Sequence, residues 1–284
     1  MTYEVLQILW YLVFCAAVVF YTILDGFDLG VGSLHLCVKS DNDRRIFLNA
    51  IGPVWDGNEV WLVIVGGALF AGFPPVYATV FSAFYTLFMI FLAGIIFRAV
   101  AIEFRSKHET KSWRQFWDII FFLGSFIMSF GSGVLLGNVI MGMPIGPDQV
   151  HTSSFWSLFR LYPVLVGLLS LSVFTLHGHI FLLMKTEGSL HDRLRKWMKP
   201  LMAFFLVMFV IVTLDTMRAS PHMHDRFASM PWLYLIPALL IGCIASIPYL
   251  VGKKYDGFAF ISSSTMIILL YTLFGIGTFP IFVR

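Results

Sequence analysis

Two short acidic motifs interrupt an otherwise apolar sequence, Asp25-Gly26-Phe27-Asp28 and Asp56-Gly57-Asn58-Glu59. Each sets two carboxylates three residues apart, and on a helix such residues share a face. Like charges held together in a partly dehydrated place drive one of a pair toward its protonated form, which is what a proton relay across a membrane requires. A carboxylate within a membrane costs about 2.5 to 3.5 kcal/mol on insertion scales, so it needs a partner or a purpose. Asp25, deep in its apolar run, and Asp56 are therefore candidates for a proton path, with Asp28 and Glu59 ranked behind them. A plainer reading stays open for the second motif, with Asp56 as a helix N-cap and Glu59 as its capping-box partner. Asp28, similarly, lies near the end of its run.

Arg98 follows more than twenty largely apolar residues and falls toward the same side as the carboxylates, so it could be their counter-ion. Its long stem also allows the alternative of snorkelling to the interface. Glu103 ranks lowest among the path candidates, because Lys107, four residues on, offers it a helix-surface pair. Haem or metal chemistry finds little to work with. The histidines near apolar runs are His35, His177 and His179, and the last two point to nearly opposite faces of a helix. His222 and His224 fall in a loop with nothing to complete a site. Cys15, Cys37 and Cys243 form no CxxC and read as packing residues, so no metal or cofactor is expected on this chain.

The elements that must position these groups are membrane spans. The chain has 284 residues, of which 58% are hydrophobic and 12% charged, and its mean hydropathy is +0.84. Soluble domains carry about 25% charged residues, so water is not its main solvent. The apolar runs suit helices of roughly 20 residues and show no alternation that would suggest a barrel. An all-α polytopic transmembrane bundle is expected, a single domain over residues 1–284. Its spans fall near 5–35, 54–73, 76–103, 116–138, 157–183, 198–217, 231–251 and 257–282. No basic leader precedes the first span, which reads as retained rather than as a removable signal. Three basic residues fall between spans 1 and 2, four between 3 and 4, five between 5 and 6 (Lys185 to Lys199) and two between 7 and 8, against Arg218 and Arg226 in the alternate loops. By the positive-inside rule the N-terminus is outside. The net charge of +3 forms no stripe interleaved with aromatics, so nucleic acid is not an expected partner. Ser125, Ser129, Gly133 and Gly137 line one face of the fourth span, a packing seam for a neighbour in this chain or in a partner.

Together, Asp25-Gly26-Phe27-Asp28-Leu29-Gly30-Val31-Gly32, Trp55-Asp56-Gly57-Asn58-Glu59-Val60-Trp61-Leu62 and Gly66-Gly67-Ala68-Leu69-Phe70-Ala71 resemble subunit II of cytochrome bd quinol oxidases. The likeness continues through Phe97-Arg98, Phe104-Arg105-Ser106-Lys107, Trp117-Asp118, Gly137-Asn138, Gly142-Met143-Pro144 and Phe279-Pro280. The resemblance implies a heterodimer in the bacterial cytoplasmic membrane. Its subunit I would bind haem b and haem d, oxidise quinol near the outer face and reduce dioxygen to water, and a small single-span subunit could join it. Subunit II would bind no haem, and a path for cytoplasmic protons would run partly along it. On matching positions, Asp25, Asp56 and Arg98 carry over to that path, while Asp28, Glu59 and Asp118 match without an assigned role.

Members of this family are usually longer and carry a ninth helix, whereas this sequence stops at Arg284, soon after the eighth expected span. The short loop around residues 220–230 resembles the compact, cyanide-insensitive branch. Two other readings compete. A proton-coupled transporter would use intramembrane carboxylates, but its second half should show a matching pair, and spans 5 to 8 have none. The third reading is a scaffold that shields subunit I and holds a structural quinone against some of its 30 phenylalanines.

Overall fold

In hydrocarbon a backbone must satisfy its own polar groups, and a helix does this within one segment. A computed structural model of the chain, describing residues 2–142, 155–219, 227 and 229–278, has ten α-helices and no strand among the described residues. They are α1 (Tyr3–Leu34), α2 (Asp41–Ile51), α3 (Trp55–Gly72), α4 (Pro74–Ala83), α5 (Tyr85–Phe104), α6 (Lys111–Met141), α7 (Leu161–Lys185), α8 (Gly188–Ala219), α9 (Leu235–Gly252) and α10 (Asp256–Thr278). Among the described residues, seven helices are long and apolar enough to cross a membrane, and α2 with α3, bent by 53°, supplies an eighth candidate span. The run near 76–103 is kinked at Phe84 between α4 and α5. Hydrogen bonds continue through the kink, from Phe84 N–H to Val80 O at 3.0 Å and from Phe88 N–H to Phe84 O at 2.9 Å. Pro74 opens α4, where a missing N–H costs nothing, and Gly142, at φ 81°, closes α6 in a conformation suited to glycine.

α7 is the central helix, with 67% of its apolar window buried against 17–44% in the other spans. It packs on α1, α6, α8 and α10, while α3 and α5 lie on the opposite flank against α1 and α6. The α1–α7 crossing depends on two glycines. A Cβ on Gly30 would stand 1.9 Å from Phe174 O, and one on Gly178 would stand 2.6 Å from the Gly30 carbonyl carbon. The small-residue face of α6 serves helices of the same chain. Ser125 meets Gly32 of α1, Ser129 Oγ lies 3.5 Å from Ser33 Oγ, and Gly133 and Gly137 admit α7 at Val166, Gly167 and Pro163.

Ion pairs tie one end of the bundle together. Arg105 and Arg114 each donate to Asp41 at 2.7 Å, Arg193 to Asp43 at 2.5 Å, and Arg195 to Asp256 at 2.7 Å. This is the end that also holds the first turn of α3 and the last turns of α1 and α5. Arg160, just before α7, lies at the opposite end. The motif Gly142-Met143-Pro144, the loop around 220–230 with His222 and His224, and Phe279-Pro280 lie wholly or largely outside the described residues.

Candidate functional site

A buried carboxylate cluster forms where α1, α3 and α5 meet near the basic end. α1 presents Asp25 and Asp28 one turn apart, both with no exposed surface. α5 presents Arg98, also fully buried. Arg98 Nη2 reaches Asp25 Oδ1 at 2.8 Å, and Nη1 reaches Oδ2 at 3.1 Å. Such a two-pronged contact suits the planar guanidinium and offsets the cost of taking both charges out of water. Arg98 Nη1 also lies 3.0 Å from Glu59 Oε1, in an ion pair without hydrogen-bond alignment. The Tyr21 hydroxyl donates to Asp25 from the preceding turn of α1.

Asp28 has a different partner. Asn58 of α3, itself buried, donates its side-chain N–H to Asp28 Oδ2 at 2.8 Å. Asp28 Oδ1 is buried with no partner among the described residues.

Exposure falls in steps along α3 toward the cluster. Asp56 is exposed, the Glu59 side chain three residues on is 16% exposed, and the Asp25 and Arg98 side chains it meets are at 1% and 0%. The structure therefore gathers Asp25, Asp28, Glu59 and Arg98, and leaves Asp56 at the outer rim one turn from Glu59. Glu103 is exposed and stands apart from them.

Three plainer expectations are overturned. Asp56 is not an N-cap, because Asn58 N–H bonds to Val54 O, so α3 starts at Trp55 with Asp56 already inside its first turn. Arg98 does not snorkel, since two carboxylates satisfy it inside the bundle. Glu103 and Lys107 make no ion pair among the described residues. α5 ends at Phe104 and continues as a 3-10 turn over Arg105–Lys107, which removes the four-residue register that such a pair needs.

A second cluster went unread in the sequence. Asp118 of α6 accepts from His35 Nε2 at 2.6 Å, Arg44 Nη1 at 2.9 Å and Arg105 Nε at 2.5 Å. It fastens the end of α1, the amphipathic α2 and the end of α5 to α6. The acidic and basic residue types in these loops were visible, but nothing local marks one aspartate as their common acceptor.

The whole length of the chain from residue 6 to residue 284 matches the family model described as cytochrome bd terminal oxidase subunit II. The chain belongs to this family. It is 34% identical over 311 aligned positions to cytochrome bd-I ubiquinol oxidase subunit 2 of Escherichia coli K12, covering 98% of this chain and 82% of the relative. To cytochrome bd ubiquinol oxidase subunit 2 of Bacillus subtilis it is 34% identical over 277 positions, covering 96% and 80%. Its fold matches a chain of the bd oxidase from Geobacillus thermodenitrificans with a TM-score of 0.80 at 17% identity, over 99% of this chain and 86% of that one. A cytochrome bd subunit II is part of a quinol oxidase and works beside a subunit I, as a multi-pass membrane protein.

Family membership removes the transporter reading and raises the question of haem. An axial ligand needs a free ring nitrogen facing a cavity. His35 Nε2 is bonded to Asp118, and His177 uses Nδ1 on Ser263 and Nε2 on Ile23 O. His179 Nε2 is bonded to Leu194 O. Although Nδ1 of His35 and of His179 has no partner among the described residues, all three rings are fully buried in side-chain packing and none lines the apolar cavity among α6 to α10. These residues do not fit a haem, and no group of three potential metal ligands occurs among the described residues.

Proposed function

We propose that this chain is the haem-free subunit of a bd-type quinol oxidase in the bacterial cytoplasmic membrane, and that it brings cytoplasmic protons toward oxygen reduction in the partner. Haem b and haem d belong to subunit I in this reading, where quinol is oxidised and dioxygen becomes water. The observation that carries the proton role is the stepwise burial from Asp56 through Glu59 to Asp25 and Arg98. An exposed carboxylate can exchange with water, and a half-buried one on the same helix face can hand a proton inward. Arg98 pairs with Asp25 through both terminal nitrogens and holds it in place at the inner end. The basic end would face the cytoplasm, with the N-terminus outside, by the asymmetry of Lys and Arg.

The scaffold reading has one observation in its favour. α6 to α10 border a half-open apolar cavity of about 440 Å³, lined by Tyr162, Val166, Phe209, Thr216, Leu240 and Phe274 among others, of a size that suits a lipid or quinone tail. A scaffold gives no reason for three buried or half-buried carboxylates around one arginine, and the proton role does.

The test is to tag the chain in its native membrane, purify it in mild detergent and record the reduced-minus-oxidised visible spectrum. Haem b and haem d bands with a second large subunit, with or without a small one, are expected. A colourless single chain overturns the oxidase role. In the assembled complex, Asp56→Asn is expected to slow quinol-dependent oxygen consumption about tenfold or more, the low end of what a proton-transfer group contributes being near a hundredfold.

A further inference from the structure

Three carboxyl groups share one guanidinium in the buried cluster, and the geometry divides it unequally. Asp25 takes both terminal nitrogens of Arg98, and Glu59 shares Nη1. Asp28 receives only the neutral amide of Asn58, through Oδ2, and its Oδ1 is buried without a donor among the described residues. The charged groups acting on it are Asp25 on its own helix, Glu59 from α3 and Arg98 from α5. With all four ionised, the cluster would carry two uncompensated negative charges in an apolar bundle. An ionised oxygen with no donor is the most costly of the arrangements available, whereas a neutral carboxyl with one free hydroxyl costs far less.

We propose that Asp28 holds a resident proton on Oδ1, and that Asn58 is the positioning residue that keeps it there. The amide donating to Oδ2 leaves that oxygen as acceptor, so the hydroxyl falls on Oδ1. Donation from the amide by itself favours the ionised form, so Asn58 fixes which oxygen carries the proton, while the missing donor at Oδ1 and the engagement of Arg98 by Asp25 and Glu59 are what leave Asp28 neutral. The proposal rests on the proton-path reading and deepens it. The cluster already stores one proton, bound from water on the basic side, and Asp25 with Arg98 acts as the fixed charge that holds the store in place. When the stored proton leaves Oδ1 toward the partner, one taken up from the basic side through Glu59 replaces it, so the cluster returns to one bound proton.

Infrared absorption of the purified, resting complex tests this without turnover. A protonated carboxyl has a C=O stretch at higher frequency than a carboxylate, and it shifts in heavy water. Wild-type complex made with aspartate carrying carbon-13 in its side-chain carboxyl should show that band displaced by the label. Absence of any labelled protonated band overturns the proposal by itself. Asp28→Asn should remove one component, while Asp25→Asn should not. Loss with Asp25→Asn but not with Asp28→Asn overturns it. Asn58→Leu keeps Asp28 and removes its donor, so the band should move to higher frequency, and an unmoved band contradicts the positioning role. Because no quinol or oxygen is consumed, a failure of the proton-delivery reading would leave this band in place, and the two outcomes separate.

Discussion

Arg98 holds Asp25 with both ends of its guanidinium, at 2.8 and 3.1 Å, across 73 positions of sequence. The pair locks α5 to α1 inside the bundle, and Glu59 of α3 joins it at 3.0 Å. Three helices thus converge on one cation.

Removing that cation should be severe. Arg98→Gln leaves buried carboxylates unpaired, at about 3–5 kcal/mol by comparison with other broken buried pairs. Loss of the assembled complex, or a large drop in its thermal midpoint, is expected. Arg98→Lys retains the charge without the fork and should fall between. In a double variant, Asp25→Asn with Arg98→Gln should be less damaging than the sum of the single changes, as thermal denaturation would show. Simple additivity would mean that the pair is not coupled.

The α1–α7 crossing makes a steric prediction. Gly30→Ala places a methyl group within 1.9 Å of a backbone oxygen, so the helices must separate, and the chain should fail to reach the folded form in detergent. Gly242→Ala meets nothing within 4 Å and should change the thermal midpoint little. Equal tolerance of both changes, measured by size-exclusion profile and melting, would contradict the crossing.

Asp118 and Asp41 both bind arginines, yet their surroundings differ. The Asp118 side chain is 2% exposed and Asp41 is 50% exposed. Asp118→Asn should therefore cost several-fold more in stability than Asp41→Asn, because it removes the buried negative charge and replaces with a donor one of the two oxygens that Arg105, Arg44 and His35 share. Comparable losses in a denaturation series would argue against Asp118 as the common anchor.

The spans were legible because hydrocarbon allows few alternatives, and runs such as 161–185 have no other way to hide their backbone. Asp25, Asp28 and Glu59 were legible as a class, since charge within an apolar run is rare. Arg98 was readable as a possible counter-ion but not as the partner of a particular carboxylate, because pairing across 73 residues depends on how α5 packs. Asn58 was missed as a participant for the same reason, and an amide carries no charge to draw notice. Its place between Asp56 and Glu59 in the motif was the one available hint. The 53° bend between α2 and α3 follows from Gly52-Pro53, which breaks the helix, yet the angle itself is set by the contacts of α2 with the rest of the fold. The 3-10 turn after Phe104 had no sequence mark, and it undid the expected Glu103–Lys107 pair.

The central claim is that protons reach the partner subunit through this chain's carboxylates. The most direct measurement is proton uptake by the oriented complex in vesicles, followed with a pH-sensitive dye on the basic-loop side during a pulse of quinol and oxygen, for wild type and Asp56→Asn with equal haem content. Slowed uptake together with slowed oxygen consumption is the expected result. Uptake and oxygen consumption at the wild-type rate in Asp56→Asn would contradict the account and leave the chain as a scaffold.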